Sequence, residues 1–309
     1  MKNVLVSVAM CAYNGEKYLR KQLDSILSQS YSPLQIIIVD DNSSDETRNI
    51  LSLYSEEHSN IDIFFNDSNL GYNKNFEMAI SKAEGEFIAI SDQDDIWLHD
   101  KVATLVESIG DNWLIFSNSQ FIDSDDRLLN ESLLPFFAFR SDYRGILLEN
   151  FVTGHTALLS KKILAYILPI PESGFYDWWI GFIAMYHHKI AFSNQILTHY
   201  RIHNDSVIQL ALSDNDKKIN PKKNLSIQLA AFLKYKNLKA ADRKFIGNLK
   251  KSIDSELSPV FKSLFPLLLR DFSTYFPKKK TKSMLSKLNF LLKFLRTYGI
   301  AGYYLVDSL

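Results

Sequence analysis

Residues 87–101 read FIAISDQDDIWLHDK and residues 36–47 read IIIVDDNSSDET; in each, a run of apolar, largely β-branched residues ends on a cluster of aspartates. An unbroken apolar run of this length fits a strand buried on both faces, as in a parallel sheet between helices. In such sheets ligands bind beyond the carboxyl ends of the strands, so Asp40, Asp41, Asp92, Asp94 and Asp95 are expected to project toward a pocket. Three carboxylates within four positions raise one another's pKa unless well solvated or neutralised by a cation. Hard oxygen ligands at this density suit Mg²⁺ or Mn²⁺, which leaves coordination positions for water and phosphate and so implies a diphosphate ligand. The plainer reading is a solvated acidic turn, and for Ser43 or Asp45 alone a turn or cap role is preferred.

The surrounding sequence repeats the strand–helix alternation. Strands are expected over 4–12, 35–40, 61–65, 87–91 and 114–117. Leu19, Leu23, Ile26 and Leu27 share one helical face, which predicts a helix over 17–28; Ser30 and Pro33 stop it. Ser43 and Glu46 have capping-box spacing and open a second helix to about residue 56; a third covers 74–83. Further on, a strand is expected over 153–159, helices over 161–167 and 178–187, and strands over 190–193 and 198–202. No G-x-G-x-x-G follows the first strand, where residues 10–19 read MCAYNGEKYL, which argues against a dinucleotide site. Tyr13 there offers a flat face to a nucleobase, or packs under the next helix.

The 309 residues, 46% apolar and 23% charged, suffice for one large or two ordinary globular domains. The longest uncharged stretch near the C-terminus, 297–306, holds two glycines and is too short to span a bilayer. The start lacks the charged and apolar regions of a signal peptide and is read as mature sequence. A single cysteine, Cys11, excludes an internal disulfide or a cysteine zinc site and points to the cytosol. The net charge of zero conceals an asymmetry: residues up to Asn215 carry 15 Lys and Arg against 29 Asp and Glu, and the remainder carry 20 against 6. A domain boundary is expected near Asn215, where the texture turns Lys-rich and helical.

Four blocks taken together, AYNGEKYL (12–19), VDDNSSDET (39–47), NLGYNKNF (69–76) and SDQDDIW (91–97), resemble the family 2 glycosyltransferases of GT-A fold over roughly residues 4–210. The resemblance implies an α/β fold, a Rossmann-like, mostly parallel sheet flanked by helices, with a basic α-helical C-terminal extension. Domain 1–215 would be catalytic, its part to about 120 binding the nucleotide sugar and 121–215 the acceptor; 216–309 would be the extension. It implies inverting transfer of a hexosyl or deoxyhexosyl group from a UDP- or dTDP-sugar to a hydroxyl acceptor, with Mn²⁺ or Mg²⁺. Ala12 and Tyr13 would line the base, Asp40 would accept from the pyrimidine imide and Asp92 would approach the ribose; Asn14, Asp41 and Asn75 join the donor site through their blocks. Asp94 would hold the metal, and Asp95 is either a second ligand or an organiser of the loop.

Two further blocks extend the likeness. FYDWWIG (175–181) resembles an acceptor-side segment carrying a catalytic base, which makes Asp177 the candidate; a carboxylate flanked by aromatics is desolvated toward the working range, although Asp177 also fits a helix N-cap. HYRIHNDS (199–206) resembles the segment that reaches the diphosphate: Arg201 would pair with phosphate, and His203, alternating with it on a strand, would complete the metal shell or bind phosphate. His155 in VTGHTALLS is expected only to shape an acceptor-side loop. Residues 277–296, PKKKTKSMLSKLNFLLKFLR, form a basic amphipathic helix suited to an anionic membrane surface or to packing on the acidic half. The first alternative places the protein peripherally at the inner face of the plasma membrane with a lipid-linked glycan acceptor. Nucleic acid is disfavoured by the acidic first half. A sugar nucleotidyltransferase and a non-catalytic scaffold that binds sugar nucleotides are the competing readings; the first lacks a glycine-rich basic loop for a triphosphate.

Overall fold

The computed structural model describes residues 4–203, 221–254, 266–280 and 283–297. Two compact units emerge, each assembled from separated stretches: the first from 1–133, 152–172 and 187–202, the second from 134–151, 173–186 and 203–309. The boundary expected near Asn215 lies outside the described residues.

The first unit is built on a nine-stranded sheet. Strand β1 (Val6–Ala12) pairs in parallel with β2 (Leu34–Asp40) and β4 (Phe87–Ser91), and β2 with β3 (Ile61–Phe65). Helices α1 (Leu19–Leu27), α2 (Thr47–Glu57) and α3 (Tyr72–Ser81) make the crossovers, and α4 (Lys101–Ser108) and α5 (Leu164–Ile167) follow along the chain. The apolar spacing of α1 buries Leu19, Leu23 and Ile26 completely against the sheet. Full burial of each such side chain contributes about 1.5–3 kcal/mol, and truncating Leu23 to Ala would cost about 2–5 kcal/mol.

Beyond β4 the sheet becomes mixed. Strand β8 (Ala157–Ser160) runs antiparallel to β4 and to β6 (Leu114–Ile122), so β6 points the same way as β4; β9 (Ile190–Arg201) runs parallel to β6. Strands β5 (Ile96–Trp97) and β7 (Leu128–Ser132) pair antiparallel with β9 and β6. One edge of the sheet therefore collects the carboxyl ends of β1, β2, β4, β6 and β9 together with the leading loop of the reversed β8.

Three sequence expectations are corrected. The two strands expected over 190–202 are one, made continuous by register shifts opposite Ser117–Ser119. Its end at Arg201 leaves His203 beyond the strand, so the two side chains do not alternate on it. The Ser43–Glu46 capping box does not form: α2 begins at Thr47 with no side-chain cap, because the Ser43 hydroxyl is engaged with Asp40 and with the Asn14 N–H.

In the second unit α6 (Tyr176–Tyr186) is apolar almost all round and accordingly buried. Its Phe182 stacks on Phe232 of α7 (Pro221–Leu233) at 4.1 Å, and the Trp178 indole donates to the Ile146 carbonyl at 2.5 Å. Helix α8 (Ala240–Asp254) supplies Asp242, which accepts from the Tyr143 and Tyr186 hydroxyls at 2.7 and 2.8 Å. Two C-terminal helices follow, α9 (Phe272–Tyr275) and α10 (Met284–Thr297).

Candidate active site

Two acidic strand ends lie on the shared edge of the first unit. At the end of β2, Asp40 is fully buried; its Oδ1 accepts from Arg48 Nε at 2.6 Å and from the Ser43 N–H at 3.2 Å, and its Oδ2 from the Ser43 hydroxyl. Asp41 is also buried. Its Oδ1 accepts from the Leu70 N–H at 2.7 Å and from Asn66 Nδ2 at 3.1 Å, and its Oδ2 from the Gly71 N–H at 2.9 Å. Gly71 has φ +81°, a conformation that costs glycine little, so it can turn its N–H onto the carboxylate. Asn75 completes this network, accepting from Asn66 Nδ2 at 2.6 Å and donating to the Gly71 carbonyl at 2.9 Å. Asp41 and Asn75 therefore serve to shape the 66–71 turn.

The loop after β1 is tied to both acidic segments. Asn14, at φ +47°, accepts the Ser44 N–H on its Oδ1 at 2.9 Å. Gln93 grips the Tyr13 backbone from both sides, accepting its N–H at 2.9 Å and donating to its carbonyl at 3.0 Å. A Cβ on Gly15 would lie 2.2 Å from Gln93 Oε1, so only glycine leaves room for that grip. Ala12 is buried, while the Tyr13 ring is 49% exposed and available for stacking.

The end of β4 differs in its bonding. Asp95 is completely buried, and its Oδ1 accepts the Arg201 N–H at 3.1 Å; among the described residues its Oδ2 has no hydrogen-bond partner. Burial first, then the charges of Asp94 and Asp92, push its carboxyl well above the ordinary range. Beside it, Asp92 Oδ2 lies 3.8 Å from Nδ1 of the buried His155, and one ligand atom from each of Asp92, Asp95 and His155 falls within 4.8 Å of the others. The His155 ring stacks on Tyr200 at 4.4 Å, and its Nε2 lies 3.1 Å from the Ser119 hydroxyl. Burial, with Lys101 nearby, holds the imidazole well below its usual pKa and so neutral. With the Nε2 proton donated to Ser119, the Nδ1 lone pair faces the two carboxylates, the tautomer a metal ligand needs.

These donors fit a divalent cation: two carboxylates, one of them with a buried unsatisfied oxygen, and a neutral imidazole. Imidazole in the set suits Mn²⁺ better than Mg²⁺. Of the expected ligands Asp94, Asp95 and His203, this cluster contains Asp95 alone. Asp94 offers its carbonyl to Arg201 Nε at 2.7 Å, and His203 belongs to the second unit. His155, expected only to shape a loop, supplies the third donor.

Two buried cations hold the cluster in place. Lys101 donates from Nζ to the His155 carbonyl at 2.5 Å and to the Thr198 hydroxyl at 2.8 Å, with its ammonium 3.9 Å from the centre of the Trp97 ring. Burial lowers its pKa against the opposing pull of Asp95 and Asp92. Arg201, expected to pair with phosphate, has a fully buried side chain that pairs with Asp126 at 2.5 Å, donates to the Asp94 and Asp123 carbonyls and lies over the Tyr18 ring. Its bonds organise the acidic loop and the turn before β7. Asp177 lies in the first turn of α6, where its Oδ1 accepts the Trp178 N–H at 2.6 Å.

A mixed sheet of this order, with helices on its parallel half and carboxylates and an imidazole at one edge, has the architecture of the GT-A fold. The profile of the family described as Glycosyl transferase family 2 matches residues 7–168, and the chain belongs to that family. It is 32% identical over 213 residues to the uncharacterized glycosyltransferase MJ1057 of Methanocaldococcus jannaschii, covering 66% of this chain and 73% of that one. It is 34% identical over 113 residues to TuaG of Bacillus subtilis, named for teichuronic acid biosynthesis, covering 37% of this chain and 45% of that protein. Among solved structures, the mannosyltransferase PcManGT of Pyrobaculum calidifontis in complex with GDP-Man and Mn²⁺ superposes with a TM-score of 0.58 at 15% identity, covering 99% of this chain and 86% of that one.

Proposed function

We propose that the chain is a metal-dependent inverting glycosyltransferase that moves a hexosyl or deoxyhexosyl group from a UDP- or dTDP-sugar to a hydroxyl of a glycan acceptor, lipid-linked, in cell-surface polysaccharide synthesis. The observation that carries this reading is the Asp92, Asp95 and His155 cluster at the strand-end edge of a family 2 chain. The likeness to a protein named for teichuronic acid biosynthesis supports the acceptor class.

Asp92, Asp95 and His155 would hold Mn²⁺ or Mg²⁺, which when bound offsets charge on the diphosphate leaving group. The exposed face of Tyr13 stacks on the base, and Gln93 fixes the Tyr13 backbone for that purpose. Asp177 takes the proton of the acceptor hydroxyl. The acceptor oxygen bonds to the anomeric carbon as the bond from that carbon to the diphosphate oxygen breaks, and the nucleoside diphosphate leaves with the electron pair.

Purified protein incubated with Mn²⁺ and a panel of UDP-, dTDP- and GDP-sugars should release nucleoside diphosphate from one donor class, and chelation should stop release. Pyrophosphate-dependent synthesis of a sugar nucleotide, or binding without release under every condition, would contradict the proposal.

A further inference from the structure

The described C-terminal part of the second unit carries an exposed surface that mixes apolar and basic side chains. The stripe of α10 that the sequence shows as continuous is divided in the fold. Leu291 is completely buried, and Phe290 packs edge-on against Phe272 at 5.4 Å and Phe276 at 4.9 Å. One turn and more toward the N-terminus, Met284 and Leu285 are each 66% exposed. The segment before the helix runs beside 134–140, held by the Ala138 N–H donating to the Pro277 carbonyl at 3.0 Å. That pairing brings in Phe136, 38% exposed, with Lys280 Nζ 5.6 Å from its ring centre.

The basic groups are arranged around this apolar material. Lys279 lies 5.8 Å from the Phe290 ring centre and Lys287 5.9 Å from that of Phe272. Residues 277–296 contain seven Lys and Arg and no Asp or Glu. Close by, Glu149 lies 3.7 Å from Lys278, and Asp271 pairs with Arg270 at 2.9 Å. Long apolar side chains standing in water beside ammonium groups on aliphatic stems match the boundary between acyl chains and anionic headgroups. There the apolar side chains enter the bilayer while the lysines remain at phosphate level.

We propose that Phe136, Met284 and Leu285, together with Lys279, Lys280 and Lys287, form a docking surface for an anionic lipid bilayer. The occupant is a membrane rather than an acidic protein because exposed apolar side chains alternate with ammonium groups and the charge of 277–296 is of one sign, the combination an anionic bilayer surface accepts. Lipid binding and turnover are read by separate measurements.

The test is co-sedimentation of the full chain with vesicles of phosphatidylcholine alone and of phosphatidylcholine mixed with phosphatidylglycerol. The protein should pellet with the anionic vesicles only, and salt should release it. Lys279→Gln, Lys280→Gln and Lys287→Gln together should weaken binding about a hundredfold, since each basic residue near such a surface is worth about fivefold in affinity. Met284→Ser with Leu285→Ser should weaken it at least tenfold while leaving the thermal midpoint and donor turnover unchanged, as both side chains are exposed. Failure to pellet with anionic vesicles at low salt, or pelleting indifferent to both sets of substitutions, would overturn the proposal. So would a self-association, measured by sedimentation velocity, that the Met284 and Leu285 substitutions abolish, because the surface would then be a contact between copies of the chain.

Discussion

The two acidic strand ends look alike in sequence and differ in what their oxygens do. At the end of β2, both oxygens of Asp41 accept from backbone or side-chain donors, and Asp40 is held by Arg48 and Ser43. At the end of β4, Asp95 keeps one buried oxygen without a partner among the described residues and faces a second carboxylate and an imidazole. A carboxylate saturated by its own fold stabilises a turn; one buried and left unsatisfied costs stability until something binds it. The two strand ends thus differ in how many carboxylate oxygens the fold leaves for a cation.

The largest effect that sharpens this contrast is expected at Asp95. Asp95→Asn should lower Mn²⁺ affinity and donor turnover by more than about a hundredfold, beyond the 10–100-fold typical of residues that merely orient ligands. Its metal-free thermal midpoint should not fall, because a penalised buried carboxyl is replaced by a neutral amide. Asp41→Ala should behave in the opposite way: loss of charge-assisted bonds to the Leu70 and Gly71 N–H groups should destabilise the fold by about 2–4 kcal/mol in urea unfolding, with the metal affinity of the remaining folded protein nearly unchanged. Equal loss of metal binding in both variants would erase the distinction.

A smaller effect is expected where the fold holds the cluster from outside. Arg201→Lys keeps the charge but not the planar fork that reaches the Asp94 and Asp123 carbonyls, and should weaken Mn²⁺ binding without nucleotide by about tenfold. Were Arg201 a direct phosphate ligand, the same change would raise the donor KM and leave metal binding alone. The smallest is expected at Gly15, where Ala would displace the Gln93 amide from Tyr13 and raise the donor KM severalfold with little change in kcat.

The parallel half of the fold was legible because its signals are local: apolar runs ending on aspartates and helices with one apolar face. Strands β5 and β7 were not, since two and five residues on the margin of a sheet carry little periodicity. His155 shows the same limit at the site. Attention to the carboxyl ends of strands finds Asp92 and Asp95, but β8 runs backwards, so it is its leading loop that reaches the edge. Nothing near His155 in sequence records that reversal. Lys101 reads as an ordinary helix-start lysine, and only the packing of β9 and the 153–156 turn shows it buried. Arg201 was placed at the correct strand end; its partners in the 123–126 turn lie far away in sequence and left no mark there.

The most direct measurement is calorimetric titration of Mn²⁺ into the metal-free chain and its Asp95→Asn, His155→Ala and Asp41→Asn variants, each confirmed folded by circular dichroism. One site is expected in the unaltered protein and in Asp41→Asn, with binding lost in Asp95→Asn and weakened in His155→Ala. Binding that survives unchanged in Asp95→Asn and His155→Ala would contradict a metal centre at the end of β4.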